Sequence, residues 1–121
     1  MVKQLSLGLK TSTTERVPAV EKRIAAGARF LDERRGLTWR GLVDIETLDI
    51  ESPCDCILGQ LFDHFKVGCD ELGIKPFRAA RLGFNVMDLD NPSSAREFRA
   101  LTRGWRNLLR VRQRPRVLVT V

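Results

Sequence analysis

One stretch constrains the fold of this chain more than any other. Ser52-Pro53 offers a helix start: the serine can cap, and the proline fits a first turn where its missing N–H is not needed. Asp55, three residues after the cap, can reach back to it in a capping box. Leu58, Leu61, Phe62, Phe65, Cys69 and Leu72 then recur at helical spacing, and Gly73 supplies a stop. The pattern predicts one central helix over 52–73. Gly59 and Gly68 inside it weaken a helix, so their presence points to close approach of another element.

Three further helices are expected around it. The first, over 18–35, carries the stripe Val20, Ile24, Ala28 and Leu31, with Arg34 and Arg35 in its last turn and Gly36 as stop. A short one spans 76–82, opened by Pro76 and ended by Gly83. The last opens with the capping-box pattern Ser94-Ala95-Arg96-Glu97 and buries Phe98, Leu101, Trp105, Leu108 and Leu109. Residues 37–51 interleave apolar and acidic side chains. They read as one helical turn or an extended connector, whose apolar members tack to the core while the acids face water. The alternation over 4–9 and the β-prone run 117–121 predict a strand in each terminal extension. The expected architecture is mainly α: a single domain over 1–121 with a four-helix core over 16–113, three helices long and one short. Extensions at 1–15 and 114–121 pair as a two-stranded β element or pair with another copy.

Charge is unevenly spread. Of 121 residues, 21 are Lys or Arg and 15 are Asp or Glu, a formal +6. Residues 41–60 hold five acids and no base, whereas 101–121 hold six arginines and no acid. Such a balance permits an acidic protein partner or nucleic acid. No run of about 18 apolar residues suggests a membrane span, and the N-terminus lacks a secretion signature. The three cysteines are read as reduced thiols, which with the missing signal points to the cytoplasm.

Cys54, Cys56, His64 and Cys69 have zinc-ligand chemistry, but one straight helix scatters them around its axis. Cys54 near a helix N-terminus is a weak nucleophile candidate with no base in reach. Asp44, Glu46, Asp49 and Glu51 lack calcium-loop spacing. No phosphate-binding glycine loop or serine elbow is present. The expectation is therefore no enzyme, no cofactor and no metal.

The sharpest feature is the arginine stripe Arg96, Arg99, Arg103, Arg106 and Arg110, extended by Arg114 and Arg116. Like charges at this spacing repel, so a counter-charge is expected. Either the acids of 41–60 lie across the stripe, or the charge comes from a phosphate backbone or from the acidic surface of a host or virion protein bound through this helix and the terminal strands. A second reading treats 65–83 as a helix-turn-helix that presents Lys75, Arg78 and Arg81 to DNA.

The core Ser-Pro-Cys-x-Cys-x-Leu-Gly-Gln at 52–60, followed by Leu72-Gly73-Ile74 and Ala80-Arg81-Leu82-Gly83-Phe84, resembles a set of small proteins of actinobacteria and their phages. The resemblance spans roughly residues 20–110 and implies a phage or actinobacterial setting, in the host cytoplasm or a virion. It carries no activity to transfer.

Overall fold

The computed structural model describes residues 19–113, which contain six helices. They are α1 (Val20–Arg35), α2 (Trp39–Leu42), α3 (Ile57–Phe62), α4 (Phe65–Leu72), α5 (Pro76–Arg81) and α6 (Ser94–Gln113). No strand occurs among the described residues. The strands expected at 4–9 and in 114–121 lie outside them.

The expectation of four helices fails at the central one. Residues 52–73 form two short helices, α3 and α4, instead of a single rod. Asp63 takes the left-handed conformation (φ 80°) and ends α3; His64 is extended and starts α4. The break lets α4 fold back along α3. Gly68 then lies so close that a Cβ there would sit 2.8 Å from Leu58 Cβ and 3.0 Å from Phe62 Cδ2. A straight helix would have carried Leu58 and Leu72 out along one line; the folded pair buries both on a shared core.

The start of this region also moves. Ser52 and Asp55 do meet, with Ser52 Oγ 3.3 Å from both Asp55 Oδ2 and Asp55 N. Their contact closes a turn, and the helix begins later, at Ile57. The cap of α3 is Cys56, whose Sγ accepts from Gly59 N at 3.2 Å. The Pro53 carbonyl accepts from Phe65 N at 2.8 Å, tying the turn to α4. Gly59 is required here, because a Cβ would run into the Pro53 carbonyl and the Cys54 backbone.

The other helices follow their local signals more closely. α1 ends at Gly36, whose N–H donates to Asp32 O. Arg34 and Arg35 serve neighbours as well as their own helix end: Arg34 Nη1 donates to Leu72 O at 2.8 Å, and Arg35 lies over the Phe62 ring. α5 has Pro76 in its first turn. Within 43–51, Val43, Leu48 and Ile50 are buried while Asp44, Glu46, Asp49 and Glu51 are exposed, as the interleaved pattern predicts.

The core centres on Trp105, which is fully buried. It stacks on Phe84 (centroids 5.6 Å apart, planes 10°) and meets Trp39 edge-on at 6.2 Å. Its Nε1 donates to Gly83 O at 2.6 Å. Leu31, Ile57, Leu58, Leu101 and Leu109 complete this centre.

Candidate functional site

α6 is held by its apolar face. Phe98, Leu101, Trp105 and Leu109 are buried, and Gly104 lies against Ile24 of α1 closely enough that a Cβ would collide with the Ile24 side chain. This fixes which face α6 presents outward. At 3.6 residues per turn its five arginines fall within roughly a quarter of the wheel.

Within that stripe the roles diverge. Arg96, Arg99, Arg103 and Arg110 are exposed, whereas Arg106 is half-buried. Arg106 Nε donates to Ile45 O at 2.9 Å and Nη2 to Leu48 O at 3.0 Å. Thr102 Oγ1 accepts from Ile50 N at 3.0 Å. The acidic segment is therefore bound to α6 through its backbone carbonyls and one amide. The segment's carboxylates partly serve its own turns: Asp44 Oδ1 accepts from Glu46 N and Asp49 Oδ1 from Glu51 N.

Asp49 and Glu51 border a shallow cleft of about 310 Å³ with Arg99, Arg103 and Arg106. Among the described residues no carboxylate reaches ion-pair distance of Arg96, Arg99, Arg103 or Arg110. Arg110 Nη1 donates to Asn107 Oδ1 at a long 3.4 Å. Internal neutralisation of the stripe is thus proximity to Asp49 and Glu51 for Arg99 and Arg103 and carbonyl binding for Arg106. Arg114 and Arg116 lie outside the described residues.

The residues of the DNA-reading alternative sit elsewhere. Lys75 precedes α5, and Gly73 in the left-handed conformation joins α4 to it. Arg78 lies over the Phe30 ring at 5.3 Å, a ring also covered by Arg34 at 4.5 Å. Arg81 lies over Phe77 at 5.9 Å. α5 is six residues long, about 9 Å, and its Ala79 and Ala80 are buried. A helix of that length offers little to lay along a major groove.

Two of the three thiols, Cys56 and Cys69, are buried, and His64 is a helix cap. Cys56 is buried, and burial outweighs its backbone donors, pushing the thiol up to about 11. Burial, helped by Asp70, also raises Cys69. Cys54 is exposed in the turn before α3. His64 caps α4, its Nδ1 accepting from Lys66 N at 3.0 Å.

Two clusters were not anticipated from sequence. Arg23 is 2% exposed and satisfies three acceptors: Nε to Ala80 O at 3.0 Å, Nη1 to Glu97 Oε2 at 2.8 Å, and Nη2 to Asn85 O at 2.7 Å. Glu97 Oε2 also accepts from Met87 N, so this carboxylate serves Arg23 and the 85–93 loop rather than a capping box. Near the other end of α1, Asp32 accepts from Trp39 Nε1 at 2.8 Å and from Arg40 Nη2 at 2.7 Å. The one local sign of the first cluster is that Arg23 shares a helical row with Gly27 and Phe30, beside the apolar stripe.

No protein-family model, curated protein or solved structure matches the chain.

Proposed function

We propose that this protein is a non-enzymatic binding protein that docks on an acidic surface of a protein partner through the outward face of α6. The observation that carries the reading is the exposed set Arg96, Arg99, Arg103 and Arg110 on a helix whose opposite face is locked into the core. Holding like charges together on a rigid face costs free energy that an acidic partner would recover. Arg106 is assigned a different task, clamping the 43–50 segment beneath that face. A phage or actinobacterial setting belongs to the same proposal, on the strength of the resemblance carried by residues 52–60, 72–74 and 80–84.

The test is a comparison of partners captured by the wild type and by an Arg99→Glu/Arg103→Glu/Arg110→Glu variant, with circular dichroism to establish that both are folded. A protein captured by the wild type and lost from the variant is the expected outcome. Identical partner sets would overturn the proposal. A mobility shift on DNA at about 50 mM salt that weakens steeply as salt rises would move the assignment to phosphate binding.

A further inference from the structure

A second surface lies away from α6, between α1 and α5. It is a groove of about 510 Å³ lined by Lys22, Ala26, Phe77, Arg78, Arg81 and Leu82. Arg23 closes its inner end, but that guanidinium is consumed by its three internal acceptors. The cations left to meet a ligand are those of the rim: Lys22, together with Arg78 and Arg81, which lie over the Phe30 and Phe77 rings. Lys22, Arg78 and Arg81 are all exposed, and among the described residues no carboxylate lines the groove.

The floor and wall have the opposite character. Ala26 and Leu82 form an apolar base, and Phe77 stands beside it 63% exposed. Phe77, Ala26 and Leu82 are contiguous along this groove, and contiguous exposed apolar surface marks contact sites where a single exposed side chain would not. The Phe77 wall is itself in water, so the groove does not enclose a small molecule as ligand pockets do. It suits an elongated partner laid along it.

We infer that this groove receives an acidic amphipathic helix from a protein partner, with apolar side chains against Phe77, Ala26 and Leu82 and carboxylates on Lys22, Arg78 and Arg81. Charge complementarity favours an acidic occupant over the chain's own terminal segments. Residues 1–18 and 114–121 are both net basic, so neither complements the rim. The acidic segment of a second copy carries carboxylates but keeps Leu48 and Ile50 buried, so it has no apolar row to offer the floor. Helix-in-groove recognition needs both components on one face of the incoming segment.

The probe is a synthetic peptide of about 18 residues with leucines at i, i+3, i+4 and i+7 flanked by glutamates, titrated into the isotope-labelled full chain. Amide shifts are expected to concentrate on residues 22–26 and 77–82. Arg81→Glu and Phe77→Asp, both exposed and so compatible with folding, should each weaken binding by about tenfold or more, equal to about 1.4 kcal/mol. Arg99→Glu/Arg103→Glu should leave this binding intact, which separates it from the α6 reading. A control peptide with serines for leucines should bind far more weakly. Equal binding by that control, shifts centred on α6, or no saturation by about 1 mM peptide would each overturn the inference. So would self-association that protects the groove.

Discussion

Removing Arg23 should destabilise the protein more than any exposed substitution, and the structure allows the loss to be sized. Its guanidinium is buried and serves three acceptors drawn from α5, the following loop and α6. Arg23→Ala strands the Glu97 carboxylate, whose side chain is 22% exposed, and deprives the Ala80 and Asn85 carbonyls of donors. Breaking one side of a buried pair costs about 3–5 kcal/mol. Domains of this size carry about 5–10 kcal/mol in total, and each kcal/mol lowers Tm by about 4–8 °C, so a drop of about 15 °C or more is expected. Arg23→Lys keeps the charge but offers one nitrogen where three acceptors wait, and should lose about 2 kcal/mol. The pair Arg23→Met/Glu97→Leu should lose less than Arg23→Met alone, since no unpaired carboxylate remains. Urea titration followed by tryptophan fluorescence reads all of these, because Trp39 and Trp105 are both buried. An Arg23→Ala protein within about 1 kcal/mol of wild type would refute the argument that this side chain joins the elements.

Other expectations are equally direct. Gly59→Ala should destabilise by about 1–3 kcal/mol through collision with the Pro53 carbonyl, where an ordinary helical site would gain about 1 from the same change. Asp63→Val should cost about 1–2 kcal/mol while Asp63→Gly is neutral or stabilising, because φ is 80° there; an unbroken helix would give the opposite order. The Cys56 thiol titrates near 11 when folded against 9.0 when free, so above pH 9 the unfolded chain ionises first. Stability should therefore fall between about pH 9 and 11, by on the order of 2–3 kcal/mol, and Cys56→Ser should flatten that fall in denaturation midpoints taken across the range. With a thiol reagent near pH 8, Cys54 should react quickly and Cys56 only on unfolding.

Much of the fold was legible because it is encoded locally. Gly36 after Arg35, Pro76 opening α5 and the 98–109 apolar row each act within a few residues, so composition and spacing locate α1, α5 and α6. The alternation of 43–50 likewise sorts buried Val43, Leu48 and Ile50 from exposed acids before any tertiary contact is known. The arginine face of α6 follows from the same periodicity.

What the sequence could not decide concerns breaks and partners. The apolar row from Leu58 to Leu72 is compatible with one helix; it is cut at Asp63 because α4 gains a packed surface against α3 only by turning back. Ser52 has the local chemistry of a cap, yet the turn it closes hands that place to Cys56. Arg106 and Arg23 look alike on a helical wheel with other arginines, but one binds carbonyls 58 and 61 residues away and the other reaches partners 57 to 74 residues away. Which acceptor a long cationic side chain meets depends on where the chain returns in space. Helix spacing fixed the direction of these arginines, and the tertiary structure alone separated those that hold the fold together from those left facing outward.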